Sequence, residues 1–550
     1  MSFKKKVSIL SAMALVTTSL LAGCSNSGGG SSSGGEATPE KVLANPNARK
    51  AIAMMINKED LANVVLNNGA IPSDKFTPSN LAFNPDDGKD YTEGTKDLGY
   101  KYNEEEAKKA WDKAKEEVGF DTVTMELLTF DHDSGKKCGE YIQGELADLE
   151  GLTVEVTNLP FKQKLERETK GDFDLAYSGW GGDYPDPLTF LQTMQTGNQF
   201  AKQVGYSSEE YDKLVTEATK ADTVTEAYAK FVEAEKLMLE DGYLAPLFQK
   251  GRTYLEKPYV SGIVNYSWGC DYDYRYADVD KPEKVLNVSI SSDIPSMDIS
   301  KTTDVTSFTV MNNTMEGLTR IDKDGKVEPG VATDWKVSDD GLKWTFNLRK
   351  DSKWSNGDPV TAKDFEYSWK RTLDPKTASE YSYIMADIKG AADAAKKGVD
   401  GVSVKAVDDY TLEVELVRPV SYFPELVSFQ VFFPQNQKFV ESQGDKYGQS
   451  ADAQVYNGPF TLTSWKTEDQ YVMTKNPDYW NAKDIKLNTI NTKVVKEMGT
   501  DVNLYEDGQI DRVLLDSEYV DKYKDSKEIH NYGQASTFML QINGGRDSEK

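Results

Sequence analysis

The sequence predicts an α/β protein, and three observations carry that expectation. Apolar residues recur at helical spacing in some windows and alternate in others, and the two patterns take turns along the chain. Between residues 123 and 178 the order strand, helix, strand implies parallel pairing. Hydrophobic residues make up 38% and aromatic residues 11% of 550 positions, enough for a packed body of about two or three domains.

The elements follow in order. Residues 48–65 read as a helix that Asn47 caps after Pro46. Residues 102–117 give a charged surface helix whose Ala107, Ala110, Trp111 and Ala114 face inward. Strands are expected at 123–130, 152–159 and 173–178, with an amphipathic helix at 134–149. Helices at 209–219 and 224–241 precede a strand at 245–254, and another strand covers 285–291. Asp339-Asp340-Gly341 divides 335–348 into a hairpin. A helix at 364–371 and a strand pair about Asp408-Asp409 come next. Strands at 457–465, 470–475, 493–495 and 537–542 complete the series, with no short-period repeat.

The N-terminus points to export. Lys4, Lys5 and Lys6 precede a short apolar run, residues 7–21, too short for a stable span and suited to a secretory signal. The run ends in Leu21-Ala22-Gly23-Cys24, the pattern of a bacterial lipobox, so residues 1–23 are expected to be a signal peptide and Cys24 to carry a diacylglycerol. Such a two-chain anchor holds far better than one acyl chain. The following Ser/Gly/Asn-rich stretch reads as a flexible tether, 24–37.

Charge excludes some partners. A formal net charge of −26 argues against nucleic acid and against lying on an anionic membrane, and is compatible with cationic ligands. Beyond Cys24 only Cys138 and Cys270 remain; export makes their pairing chemically possible, but their different surroundings favour two separate buried thiols. Catalytic signatures are missing. His132 and His530 lack motif context. The one Gly-x-Ser-x-Gly, at 30–34, falls in the tether, where no strand precedes it and no helix follows. Neither His-Glu-x-x-His nor a phosphate-binding loop occurs. No enzyme and no cofactor is expected.

Several long motifs carry a resemblance. Gly317-Leu318-Thr319-Arg320, Ala332-Thr333-Asp334-Trp335, Trp354-Ser355-Asn356-Gly357 and Asp374-Pro375 lie in one stretch. Asn457-Gly458-Pro459-Phe460, Asn476-Pro477-Asp478-Tyr479-Trp480 and Gly179-Trp180-Gly181-Gly182-Asp183-Tyr184-Pro185-Asp186-Pro187 lie outside it. Together they resemble the oligopeptide/dipeptide solute-binding proteins that serve ABC importers. The resemblance implies a two-lobed, type II periplasmic-binding-protein-like fold in its three-domain peptide-binding variant, which swallows its ligand by a hinge motion. It implies a monomer that hands peptides to membrane-embedded ABC permease subunits at the outer face of a bacterial cell membrane. Nickel chelate or haem as ligand, and peptide-pheromone sensing, are other uses of such a fold.

The order of the pieces departs from the family. The family's usual start resembles Lys284-Val285-Leu286-Asn287-Val288-Ser289 and its usual end resembles Tyr272-Asp273-Tyr274-Arg275-Tyr276-Ala277, so here the end precedes the beginning. A circular permutation is the expected explanation, with Lys550 near Thr38 in space. Residues 38–256 would form the ligand-binding lobe equivalent to the family's second. Residues 257–316 and 453–543 would form the main domain of the first lobe, 317–452 its extra domain, and 544–550 the cut loop.

The resemblance also assigns a site. Asp183 would pair with a peptide's α-ammonium, or else cap a turn near Pro185; Asp186 fits better as the cap of the helix after Pro187. Trp180 would wall the ligand or serve as a plain core residue. Gly181 and Gly182 would let backbones approach closely. The loop 292–297, with Asp293, Ile294 and Ser296, would pair with the peptide main chain or form an ordinary turn. Tyr177 stands where some relatives place a base for a peptide C-terminus, and being uncharged it favours longer or variable peptides.

Overall fold

Twelve strands form one continuous sheet that runs through both halves of the protein. The computed structural model describes residues 35–545. The expected leader, Cys24 and the Ser/Gly-rich run through residue 34 lie outside the described residues, as does Lys550. From one edge the sheet runs through Gly35–Ala37, Phe120–Phe130, Leu175–Gly181, Ile529–Ile542, Leu244–Glu256, Arg512–Leu515, Val285–Ile290, Thr489–Val494, Gln470–Lys475 and Phe460–Lys466. Leu152–Leu159 also pairs with Phe120–Phe130, and Ile71–Pro72 with Leu244–Glu256.

Phe120–Phe130 lies parallel to both Leu152–Leu159 and Leu175–Gly181, as the spacing predicts. The end of the expected tether is a correction. Gly35–Ala37 pairs in parallel with Phe120–Phe130, because backbone hydrogen bonds at an open sheet edge need no side chain. The first helix is corrected too. It covers Pro46–Met55, and the cap is Asn45, whose Oδ1 accepts from Asn47 N at 2.8 Å. Pro46 has no N–H to offer, so the residue before it reaches the next free donor. The expected continuous helix breaks at Ile56, which is extended, and Asn57 caps a separate turn, Lys58–Asp60. The charged helix, Glu104–Val118, buries Ala107, Ala110, Trp111 and Ala114.

A second sheet of four antiparallel strands is built of Ala332–Val337, Lys343–Leu348, Thr411–Glu415 and Val404–Asp408. Ala362–Leu373, closed by a Thr361/Asp364 capping box, packs Phe365 and Trp369 under it.

Two long strands, Leu244–Glu256 and Ile529–Ile542, tie the halves together. They pair with each other antiparallel over most of their length. Leu175–Gly181 pairs with the 536–542 end of one, and Arg512–Leu515 pairs with the 253–256 end of the other. Their mutual register breaks between Gly533 and Thr537, leaving residues 534–536 as a bulge where the ribbon passes from one lobe to the other. The glycine facing this region on the partner strand, Gly251, has no room for a side chain, since a Cβ would overlap the carbonyl of Gly69.

Cys138 and Cys270 are both free and buried, as two separate thiols. No helix among the described residues is long and apolar enough to cross a membrane.

Candidate ligand cleft

A cavity of about 340 Å³ lies between the lobes. Its walls come from the end of Leu175–Gly181, the ribbon around residues 250–252 and 534–538, and residues drawn from the segments 289–292, 303–308, 495–501 and 514–516.

The turn after Leu175–Gly181 is built to bury an acid. Gly182 N donates to Ala535 O at 2.9 Å, and Gly269 N donates to Gly182 O at 2.7 Å, so both backbone groups of Gly182 are taken. A side chain on Gly182 would strike Leu81, and one on Gly181 would crowd Ser536 Oγ. Pro185 and Pro187 prevent the strand from continuing. Asp186 Oδ1 accepts from Leu188 N at 2.9 Å and starts the helix Leu188–Leu191. Thr189 on that helix turns back, its Oγ1 accepting from Asp183 N at 2.9 Å and donating to Asp183 Oδ2 at 3.3 Å.

Asp183 is 4% exposed and lines the cavity. Its other partner comes from the opposite lobe. Tyr381 Oη donates to the carboxyl, 3.0 Å from Oδ1 and 3.1 Å from Oδ2. All of these side-chain partners are neutral hydroxyls. Burial therefore pushes the Asp183 carboxyl well above the ordinary range, and the bonds from Tyr381 and Thr189 only partly oppose it.

Trp180 stands beside this acid. Its Nε1 donates to Thr189 O at 3.0 Å, and its ring stacks on Tyr381 with centroids 5.7 Å apart. Tyr184 stacks on Tyr422 at 5.2 Å, a second aromatic contact between the lobes. Tyr177 is buried among Phe130, Phe248 and Phe538 and also lines the cavity.

Asp183, Trp180, Gly181, Gly182 and Tyr177 are thus brought together on the cavity wall. Asp293, Ile294 and Ser296 are placed elsewhere. Asp293 accepts from Trp465 Nε1 at 3.0 Å and Glu468 N at 2.8 Å, and Ile294 is buried. Ser296 Oγ accepts from Asp298 N at 3.1 Å. From this loop region residues 289–292 reach the cavity, so the expected stretch touches it only at its first residue, Ser292.

Sequence reasoning missed several cavity residues. Arg252 and Asp271 form a buried pair at 2.6 Å, closed by Gln534, which accepts from Arg252 Nε at 2.7 Å and donates to Asp271 Oδ1 at 2.8 Å. Asp304 caps the helix Val305–Thr314, and burial raises it to about 7 despite the bonds from Ser307. Asp501, likewise raised to about 7 by burial, accepts from Ser289 Oγ at 2.9 Å. His132 is half-buried, its imidazole lowered to about 4 by desolvation, and its Nδ1 accepts from Gly135 N. None of these positions sits in a motif; the fold alone gathers them. Among the described residues no group of three or more His, Cys, Asp or Glu is arranged to hold a metal ion.

The family model for bacterial extracellular solute-binding proteins, family 5 (Middle), matches residues 17–202 and 326–548. The chain belongs to that family. Family 5 consists of solute-binding proteins, which hold a ligand without transforming it. The dipeptide-binding protein DppE of Bacillus subtilis is 39% identical over 263 residues, 48% of this chain and 48% of the relative. The oligopeptide-binding protein OppA of the same species is 41% identical over 233 residues, covering 42% of this chain and 43% of the relative. A solved structure of Listeria monocytogenes OppA bound to peptide is 45% identical, covering 45% of this chain and 49% of that one, with a TM-score of 0.44. The chain spans about half the length of the curated relatives it matches.

Proposed function

We propose that this family 5 protein captures peptides between its two lobes and delivers them to the membrane-embedded subunits of an ABC importer. The observation that carries the reading is Asp183. It is an acid buried in the cavity wall whose side chain meets only neutral hydroxyl donors. A desolvated carboxylate of this kind is complementary to an ammonium, the one charged group every unblocked peptide presents at its start. Relatives named for dipeptide and oligopeptide binding support the same ligand class.

Native mass spectrometry of the purified protein tests the proposal by releasing bound peptides, and calorimetry with N-acetylated and free peptides locates the recognised group. Equal affinity for the two forms would sink the role of Asp183.

The finer statements belong to the same proposal. Cys24 carries a lipid that holds the protein on the extracytoplasmic face, and its replacement by Ser should abolish incorporation of a labelled fatty acid. The three-domain division at residues 256, 317 and 453 stands with it. So does the circular permutation, supported by the packing of Gly544 against Leu43 and Arg49. Cysteines introduced at Thr38 and Lys550 should crosslink in the folded protein; absence of any crosslink would remove the permutation.

A further inference from the structure

The cleft contains a second charged group without a counter-ion. Lys250 lies on Leu244–Glu256, where alternate residues Phe248, Lys250 and Arg252 all line the cavity. Among the described residues its ammonium makes no hydrogen bond and no ion pair, and it lies 5.7 Å from the centre of the Phe538 ring. The nearby acid is unavailable. Asp271 gives Oδ2 to Arg252 at 2.6 Å and Oδ1 to Gln534 at 2.8 Å. Burial in this setting, with Arg252 close by, lowers Lys250 to about 8.

We propose that Lys250 is a specificity-determining residue that receives a carboxylate of the ligand, within about three residues of the amino group held at Asp183. The inference rests on the peptide reading above. Its geometry comes from the sheet. Gly181 pairs with Ser536, and Lys250 lies across from the 534–536 bulge on the next strand. Two strand spacings separate Gly181 from Lys250, about 10 Å, and an extended chain rising about 3.3 Å per residue covers that in about three residues. Asp183 follows Gly181 by two positions, so the unpaired acid and the unpaired base stand on the same floor of the cleft, one at each end of such a span. A partly desolvated ammonium such as that of half-buried Lys250 gains most from a partner that arrives already charged and brings two acceptor oxygens. The carboxylate has two possible sources, the end of a short peptide or an acidic side chain early in a longer one.

The test is a set of double-mutant cycles read by calorimetry, using Lys250→Met, which keeps length without charge, and Lys250→Arg, which keeps charge. Tri- and tetra-alanine are compared as free acids and as C-terminal amides. Hexa-alanine amides with Glu or Gln at positions two, three or four form the other arm. In the wild-type protein and in Lys250→Arg, loss of the carboxylate in one arm should weaken binding about tenfold or more. In Lys250→Met that penalty should vanish. Coupling in the first arm assigns the peptide end; coupling in the second assigns a side chain. The same penalty in Lys250→Met as in wild type, or no penalty anywhere, overturns the assignment while leaving peptide capture intact. Failure of every peptide to bind the wild-type protein overturns the peptide reading and this inference with it. Thermal melting of both variants separates lost binding from lost folding.

Discussion

Tyr381 and Asp183 meet across the cleft, the phenol of one lobe donating to both carboxyl oxygens of the other at 3.0 and 3.1 Å. The acid proposed to receive a ligand is thereby contacted by the lobe that must swing over it, so ligand recognition and lobe contact share one side chain.

Asp183→Asn keeps the shape and removes the charge. A buried ion pair that loses one partner typically costs ~3–5 kcal/mol, so peptide dissociation constants should rise by more than about a hundredfold. Calorimetry measures this, and an unchanged melting temperature in the absence of peptide shows that the fold is intact.

Tyr381→Phe removes the donor that opposes the rise in the Asp183 pKa, so the carboxyl moves further up. Peptide affinity should fall about tenfold, the usual scale for a hydrogen bond to a charged group. Phenylalanine retains the stack on Trp180, which distinguishes this loss from a packing defect.

Peptide binding should release a proton. In the ligand-free protein burial raises Asp183, so it holds its proton over a window that begins near the ordinary carboxyl value and extends to the raised one. An ammonium partner lowers it again. Affinity should therefore climb with pH through that window and level off above it. Calorimetry in buffers of different ionisation enthalpy counts the proton directly; zero release throughout the window contradicts the assignment.

Asp501 makes a stability prediction of opposite use. Its folded value of about 7 lies above the unfolded one, so the folded protein binds more protons between about pH 4 and 7, and stability falls as pH rises through that window. Asp501→Asn should raise the melting temperature at pH 8, by an amount on the order of 1–3 kcal/mol in stability, and change little at pH 4. Calorimetric melting at the two pH values checks it.

At the ribbon, Gly251→Ala should destabilise the protein by about 1–3 kcal/mol, because the added carbon must displace the Gly69 carbonyl. Urea unfolding gives the number. Gly533, where a Cβ meets open space, is the control, and its Ala variant should unfold close to wild type.

Much of this architecture was legible in the chain. Leu152–Leu159 and Gln470–Lys475 alternate cleanly and fall where the pattern puts them, and Val224–Asp241 has an apolar stripe, a Thr223 cap and a terminal Gly242. Val305–Thr314 was not legible: it is buried on nearly all sides, so it carries no polar face to set a period. The same holds for the site. Asp183, Trp180 and their glycines are contiguous, and a local motif announces them. Tyr381, Lys250 and Asp501 reach the cavity from three segments distant in sequence, and only the tertiary fold brings them there. Asp293 does not line the cavity; its carboxyl holds Trp465 and the Glu468 amide, contacts that no local pattern announces.

The bulge at 534–536 has a dynamic consequence. Since both connecting strands are hydrogen-bonded to one another, neither lobe swings on an independent thread; opening must twist a two-stranded band whose mutual ladder is interrupted at these three residues. How fast a passenger boards and how long it stays aboard are then set in part by the torsional stiffness of that band. Two relatives with identical pockets but different bulges would differ in residence time while sharing the same selectivity.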